Sequence, residues 1–181
     1  MASSATVRAL AALAVAAGSS WACATGGVAA GPAPFPGVAT PPLADDHGRR
    51  TASSAAEAGE AAARSAMDLI GSPYRFGGGT PDEGFDCSGL VAYVMARHGI
   101  QMPRTVSQQF GSGTSVAASG LREGDLVFFS TTGPGATHVG IVIDAAAREF
   151  VHAPADGSRV RVDRLDATYW RVRWIGSRRQ F

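Results

Sequence analysis

The sequence has few charged residues and almost no net charge. Charged residues make up 17% of the 181 residues, and the formal net charge is +1. A chain without a strong positive charge lacks the electrostatic attraction on which nucleic-acid binding depends, so we expect no nucleic-acid partner. The body of the chain also has no run of 18 apolar residues, which excludes an internal transmembrane helix.

Cysteine is scarce as well, since the chain has only Cys23 and Cys87. One disulfide is the simplest interpretation of such a pair in an exported protein. However, Cys23 lies at the end of a predicted export signal, whereas Cys87 opens a helical pattern in the main body of the chain. If Cys23 is removed or lipidated, Cys87 is a lone thiol in an oxidising compartment. An unused thiol there is a chemical liability, so we favour a functional role for Cys87.

The first 24 residues have the pattern of an export signal. Arg8 provides a positive charge, residues 9–17 (ALAALAVAA) form an apolar core, and a polar break follows. Two processing outcomes stay open: cleavage after Ala24 at an Ala-x-Ala pattern, or cleavage before Cys23 with lipidation of that cysteine. Either outcome predicts an exported protein, periplasmic or anchored to the outer membrane, otherwise secreted. The alternative is a cytosolic protein with an alanine-rich N-terminus.

A low-complexity linker is predicted for residues 25–57. Half of the ten prolines lie between Pro32 and Pro42. A segment rich in proline, alanine and glycine buries too little apolar surface to offset the entropy lost on ordering. We expect it to form an extended tether, with His47 as a solvated residue. The folded domain is then predicted to occupy residues 58–181.

Helical patterns come first in this domain, and strand patterns follow. Residues 56–70 have high helix propensity and end at Gly71, and residues 88–98 predict a second helix. The buried stripe of the second helix is predicted to comprise Leu90, Val91, Val94 and Met95. Alternating patterns later in the chain predict five strands, at residues 125–130, 138–144, 149–153, 160–163 and 170–176. Helices followed by strands with short turns predict an α+β fold, with N-terminal helices packed on an antiparallel sheet.

Cys87 stands where the second predicted helix begins. A helix N-terminus presents free N–H groups and a partial positive charge, which favour a thiolate over a thiol. The same N–H groups can receive the oxyanion of a tetrahedral intermediate. Asp86 or Ser88 is expected to cap the helix. Position alone does not distinguish a nucleophile from a buried cysteine that packs as a small apolar residue.

Two histidines favour catalysis over simple packing. His138 begins one predicted strand, His152 lies near the end of the next, and their midpoint falls in the turn between the strands. Residues equidistant from a hairpin turn lie opposite each other, with their side chains on the same face. One imidazole can then act as a base for Cys87 while the other orients it. A zinc site is the main rival, but the sequence has no CxxC or HxxxH pattern, so we expect no metal ion.

Six motifs follow one another in the predicted domain. They are YRFGG at residues 74–78, DCSGLV at 86–91, PRT at 103–105, GDLVFF at 124–129, HVGI at 138–141 and HA at 152–153. In this order they resemble the NlpC-type family of papain-like cysteine peptidases, which act on bacterial peptidoglycan. The resemblance extends from about residue 60 to the C-terminus and implies a papain-like fold.

The resemblance also implies a function and three catalytic roles. Cys87 would be the nucleophile, His138 the general base and His152 the third polar member of a triad. The enzyme would be an endopeptidase that hydrolyses amide bonds of peptidoglycan stem peptides or crosslinks, and it would need no cofactor. The motifs do not specify which bond is cut.

Further positions match residues of the substrate cleft in the family. Tyr74 would contact the substrate or the oxyanion, with a core aromatic role as the alternative. Asp86 and Ser88 would face the amine end of the substrate, or else only cap the helix. Arg104, in the PRT motif, is expected to be a structural anchor.

The implied partner is a peptidoglycan peptide, and we expect a monomer, tethered to a membrane if Cys23 is lipidated. Two other functions stay open. One is a papain-like amidase or acyltransferase that acts on another substrate, and the other is a non-catalytic cell-wall-binding protein. A non-catalytic relative should lack part of the triad, whereas this chain keeps all three positions.

Overall fold

The structure is a computed structural model that describes residues 46–181, with side chains from Thr51 onward. The predicted export signal, Cys23 and residues 25–45 of the predicted linker lie outside the described residues. The elements of the described part, in chain order, are α1 (Asp46–Met67), β1 (Gly79–Thr80), β2 (Gly84–Phe85), α2 (Cys87–Arg97), α3 (Val106–Phe110), β3 (Thr114–Ser115), a 3-10 helix (Ala118–Gly120), β4 (Leu126–Phe129), β5 (His138–Asp144), β6 (Glu149–His152), β7 (Arg161–Arg164), α4 (Thr168–Arg171) and β8 (Trp174–Arg179).

Six of these strands form one antiparallel sheet. The order across the sheet is β3-β8-β4-β5-β6-β7, and β1 pairs with β2 in a separate ribbon. Strands β4, β5 and β6 each pair with the next strand along the chain, and β8 returns to pair with β4. Helices α1 and α2 pack against β5 and against each other. The predicted α+β architecture, with N-terminal helices on an antiparallel sheet, is confirmed.

The two faces of the sheet bury separate apolar clusters. Leu126 and Phe128 point toward the helices, whereas Val127 and Phe129 pack on the opposite face with Trp170. This alternation is the two-residue period of a β-strand. The predicted stripe of α2 is fully buried in the first cluster, which confirms its residues: Leu90, Val91, Val94 and Met95.

Helix α1 begins earlier than predicted and also ends earlier, since the prediction was residues 56–70 and the helix is Asp46–Met67. No proline lies between Pro42 and Pro73, and the residues in between are rich in alanine, arginine and glutamate, which favour a helix. The helix therefore starts at Asp46 and includes residues that the sequence assigns to the linker. Its end comes early because the N–H groups of Leu69 and Ile70 bond to carbonyls three residues back, which tightens the last turn.

Small side chains form the buried face of α1. Ala62 and Ala66 are fully buried, whereas Met67 and Ile70, which share the helical spacing, are 47% and 45% exposed. At the far end of α2, Nε2 of His98 lies 3.0 Å from a serine hydroxyl of α1 and links the two helices. None of the helices in the described part of the chain is both long enough and apolar enough to cross a membrane.

The strand predicted at residues 170–176 exists, but its predicted start is wrong. Trp170 lies in α4, and β8 begins at Trp174. The ring of Trp170 packs against Phe129 and Phe150, and its Nε1–H donates a hydrogen bond of 2.9 Å to Asp163. These long-range contacts hold Trp170 in a helical turn, although the local sequence alternates like a strand.

Candidate active site

Cys87 is the first residue of α2, and Asp86 is the cap of that helix. Oδ1 of Asp86 accepts a hydrogen bond of 2.7 Å from the N–H group three residues further on. Ser88, the other predicted cap, donates its hydroxyl to the same oxygen at 3.2 Å. The thiol of Cys87 is free and partly buried, and it interacts with the backbone N–H of Val139. Cys87 therefore lies beside the start of β5.

The thiol is less acidic than its place at a helix start predicts. Burial, together with the carboxylate of Asp86, raises the pKa of Cys87 to about 11. The N–H groups of Val139, Ser88 and Cys87 itself lower the pKa, but they do not outweigh the burial. The N–H groups of the helix start favour the thiolate, as the sequence predicts, but loss of hydration disfavours the charged form by more.

His138 and His152 lie in direct contact. Nε2 of His138 is 2.8 Å from Nδ1 of His152, and the two residues are 5% and 0% exposed. Their predicted proximity is observed, but the register differs from the prediction. Ile141 pairs with Val151, and an irregularity lies nearer the turn, so His152 lies opposite Gly140 and not opposite His138. The imidazoles are diagonal neighbours on one face, a spacing that long and aromatic side chains can bridge.

A carboxylate extends this chain of hydrogen bonds. Oδ2 of Asp163 lies 3.0 Å from Nε2 of His152 and accepts hydrogen bonds from Trp170 at 2.9 Å and Arg161 at 3.1 Å. Burial acts to raise the pKa of Asp163, but His152, Arg161 and Trp170 hold it well below its usual value. Asp163 is therefore ionised and can only accept. Within the described residues, no group of three or more histidine, cysteine, aspartate or glutamate side chains is placed to hold a metal ion.

The charge on Asp163 determines which ring nitrogens carry hydrogen. Because a carboxylate only accepts, Nε2 of His152 is the donor, and Nδ1 of a neutral His152 is an acceptor. Nε2 of His138 must then be the donor between the two rings, and Nδ1 of His138 keeps its lone pair. Burial, with a smaller contribution from His152, lowers the pKa of His138 to about 3. The ring is therefore neutral at pH 7, with Nδ1 able to take a proton.

Trp170 covers the histidine pair. Its ring stacks on His138 with centroids 5.3 Å apart and an interplanar angle of 26°, and it meets His152 edge-on at 4.9 Å. The sequence did not indicate Trp170 or Asp163 as site residues. The alternation of the strands contained a signal for Asp163. This residue pairs with Phe150, so its side chain lies on the same face of the sheet as His152. The sequence contained no such signal for Trp170, because the pattern around this residue predicts a strand.

Polar residues form a network around Asp86. Arg104 donates to both carboxylate oxygens, at 3.0 Å to Oδ1 and 2.7 Å to Oδ2, and to the hydroxyl of Ser88 at 2.9 Å. Burial acts to raise the pKa of Asp86, but Arg104 and the N–H of Gly89 hold it below its usual value. Arg104 thus anchors the start of α2.

Tyr74 lies on the loop before β1, near the thiol. Burial raises the pKa of Tyr74, and the neighbouring acidic groups of Cys87 and Asp156 raise it further. The hydroxyl therefore keeps its proton and can donate a hydrogen bond. The backbone N–H of Tyr74 donates to the carbonyl of Ser158 at 2.9 Å, which ties this loop to the connection between β6 and β7.

The order of these residues along the chain matches a known family. A model of the NlpC/P60 family covers residues 71–179, which include Cys87 and both histidines. The chain belongs to the NlpC/P60 family. The motifs that suggested this family from the sequence alone fall within the matched segment.

Relatives of this NlpC/P60 chain include enzymes and solved structures. Gamma-DL-glutamyl hydrolase of Bacillus subtilis is 42% identical over 133 residues, which cover 72% of this chain and 32% of that protein. Murein DD-endopeptidase MepH of Escherichia coli is 39% identical over 117 residues, which cover 62% of this chain and 42% of that protein. The chain thus spans less than half of the length of these two curated relatives.

Solved structures of the NlpC/P60 family share the fold. The crystal structure of a lipoprotein-like member from Staphylococcus aureus is 33% identical, with a TM-score of 0.60. The similarity covers 68% of this chain and 41% of that chain. The helices and antiparallel sheet described above are therefore the papain-like arrangement of this family.

Proposed function

We propose that this NlpC/P60 protein is a cysteine endopeptidase that hydrolyses amide bonds in peptidoglycan stem peptides or crosslinks. The observation that carries the proposal is that Cys87 contacts Val139, the neighbour of His138 in β5, while His138 is hydrogen-bonded to His152. Similarity to a gamma-DL-glutamyl hydrolase and to a murein DD-endopeptidase supports a peptidoglycan substrate. Cys87 acts as nucleophile, His138 as base and His152 as positioning residue.

Acylation begins at Cys87. Because thiol and imidazole are both neutral at rest, Sγ attacks the amide carbonyl as Nδ1 of His138 takes the thiol proton. We assign the binding of the oxyanion to the N–H groups of Cys87 and Ser88 and to the hydroxyl of Tyr74. The C–N bond then breaks, and His138 gives its proton to the leaving amine.

Water completes the cycle. His138 takes a proton from a water molecule, which attacks the carbonyl of the thioester, and the proton goes to Sγ of Cys87 as the C–S bond breaks. During each step the imidazolium of His138 is stabilised by Nδ1 of His152, which accepts its Nε2–H. Asp163 acts on His138 only through its hydrogen bond with His152 and is therefore a positioning residue.

Digestion of purified peptidoglycan tests this function. We expect the wild-type protein to release peptides whose masses identify the bond cut, and folded Cys87→Ala and His138→Ala proteins to release none. Circular dichroism checks that the variants fold. Undiminished release by Cys87→Ala would contradict the role of the thiol.

The same experiment separates the alternatives. Products that arise from another amide or from an ester would identify an amidase or an acyltransferase. A wild-type protein that binds peptidoglycan without releasing peptides would identify a non-catalytic wall-binding protein.

We also propose that the chain is exported by residues 1–24 and that residues 25–45 tether the domain. If Cys23 is lipidated, the protein is anchored to a membrane, otherwise it is released. Labelling of cells with a fatty-acid analogue distinguishes these outcomes. Label that disappears in Cys23→Ser identifies the anchored form, and absence of label from the wild-type protein identifies the free form.

A further inference from the structure

A cavity of about 520 Å³ borders the ring of His138. Its walls come from the loop after β4, the connection between β6 and β7, strand β7 and helix α4. The rings of Tyr169 and Trp170 form an aromatic side, and Arg161 and Arg164 form a charged side. The cavity is large enough for a small organic fragment, and it combines apolar and polar lining as ligand sites do.

The proposed reaction indicates which fragment of the substrate lies next to this cavity. The amide nitrogen must lie near His138 to receive its proton, while the carbonyl carbon bonds to Sγ of Cys87. The acyl fragment therefore extends on the thiol side, which Tyr74 and Asp86 border, and the leaving fragment extends past His138. Among these described residues, His138 lines the cavity, whereas Cys87, Tyr74 and Asp86 do not. The cavity thus lies on the side of the leaving fragment.

The two arginines of the cavity differ in how many of their N–H donors are used. Arg164 directs Nε and one terminal nitrogen at the two oxygens of Asp166, at 3.0 and 2.7 Å. Within the described residues, the side chain of Arg161 makes one hydrogen bond, of 3.1 Å to Asp163, and 53% of the side chain is exposed. Asp163 already accepts from His152 and Trp170. Since a guanidinium has five N–H donors, Arg161 retains the capacity to bind an anion.

We propose that this cavity is the subsite for the leaving fragment and that Arg161 binds a free carboxylate on that fragment. The inference rests on the proposed function, because it requires His138 to protonate the leaving amine. A carboxylate fits because its two oxygens match the planar fork of a guanidinium. The rings of Tyr169 and Trp170 pack against the apolar part of the fragment.

Two peptides that differ only at the end of the leaving fragment, a free acid and a primary amide, test the subsite. The wild-type enzyme should hydrolyse the free acid with a kcat/KM about ten-fold higher or more, as expected for one charge-assisted hydrogen bond. Arg161→Gln should remove this preference by slowing the free-acid peptide alone, and Arg161→Lys should restore part of it. Arg171→Gln is the control, since Arg171 is an exposed arginine of α4 that does not line the cavity, and it should keep the preference.

Two kinetic results would overturn the subsite. One is equal hydrolysis of the two peptides by the wild-type enzyme. The other is an equal fall in kcat/KM for both peptides in Arg161→Gln, which would mean that Arg161 affects catalysis through Asp163.

A binding measurement separates this inference from the proposed function. The isolated leaving fragment, as free acid or as amide, is titrated into folded Cys87→Ala while NMR follows the indole N–H of Trp170. A saturable shift that is stronger for the free acid supports the subsite, even if no peptide is hydrolysed and the proposed function fails. Peptide hydrolysis without any shift in this titration overturns the subsite alone, and failure of both experiments overturns both.

Discussion

Burial moves Cys87 and His138 toward their uncharged forms. It raises the pKa of the thiol to about 11 and lowers the pKa of the imidazole to about 3. A resting thiolate–imidazolium pair would require the opposite order, with the thiol as the stronger acid. Cys87 is therefore expected to react with the help of a general base and not as a preformed thiolate.

Alkylation of the free enzyme measures this property. Iodoacetamide reacts with the thiolate, and a thiol whose pKa is about 11 is mostly protonated at neutral pH. The rate constant should therefore rise about ten-fold per pH unit from about pH 6 to about pH 9. The Cys87→Ala variant corrects for reaction at Cys23. A rate that levels off below about pH 7 would reveal an ion pair and contradict the prediction.

Asp163 is expected to control the base through His152. Asp163→Asn keeps the shape of the side chain but removes the charge that keeps hydrogen on Nε2 of His152. Loss of the carboxylate that sets the tautomer of a serine-protease base costs about 10⁴ in kcat. Since one imidazole intervenes here, we expect a loss of about 10². Asp166→Asn, at an exposed carboxylate paired with Arg164, should retain activity.

Nitrogen-15 NMR separates this role of Asp163 from general damage to the fold. The wild-type spectrum should show His152 protonated at Nε2, and the Asp163→Asn spectrum should show a mixture of both tautomers. A loss of activity without any change of tautomer would mean that Asp163 acts in another way.

Close approach between the glycine-rich loop and α2 organises the elements of the site. A Cβ atom on Gly89 would overlap the carbonyl oxygen of Gly78. That oxygen accepts hydrogen bonds from the N–H of Asp86 at 3.2 Å and from Arg104 at 3.3 Å. The loop that carries Tyr74 is therefore held directly on the first turn of the helix.

Gly89→Ala is expected to lower stability and activity together. Alanine has the higher helix propensity, but here its methyl group would displace the loop, at a cost of about 1–3 kcal/mol. Urea denaturation and peptide hydrolysis measure the two effects. Gly79→Ala is the matched control, because its Cβ would have no atom within 4 Å. A Gly89→Ala protein more stable than the wild type would contradict the close approach.

Across the whole described domain, a buried ion pair joins the last strand to the middle of the sheet. Arg179 donates to both carboxylate oxygens of Asp125 at 2.7 Å, over a separation of 54 positions. Asp125 is 1% exposed, so Arg179 takes the place of water as its partner. Arg179 also donates to the carbonyl of Gly120 at 2.9 Å, which holds the 3-10 helix near the end of β8.

Asp125→Ala is expected to lower the free energy of unfolding by about 3 kcal/mol. Removal of one partner of a buried pair leaves the other charge without compensation, here the guanidinium of Arg179. Urea denaturation measures the loss. Asp166→Ala, which breaks the exposed pair with Arg164, should change stability very little. A loss no larger than that of the control would show that the Asp125 pair does not hold the sheet together.

The sequence by itself determined the elements whose contacts are local. The apolar stripe of α2 and the alternation of β5 and β6 follow from the periods of helix and strand. The short turn between β5 and β6 brings His138 and His152 to one face, because residues near a hairpin turn have little freedom in pairing. Even there, the exact partner of His152 depended on an irregularity that the pattern does not contain.

Only the tertiary structure decided the protonation of the site and the side chains that complete it. Asp163 and Trp170 meet the histidines through β7 and α4, and the helical turn of Trp170 depends on packing against a distant face of the sheet. The high pKa of Cys87 and the low pKa of His138 arise mainly from burial. Burial sums contributions from residues far apart in the sequence, and no local pattern contains that sum.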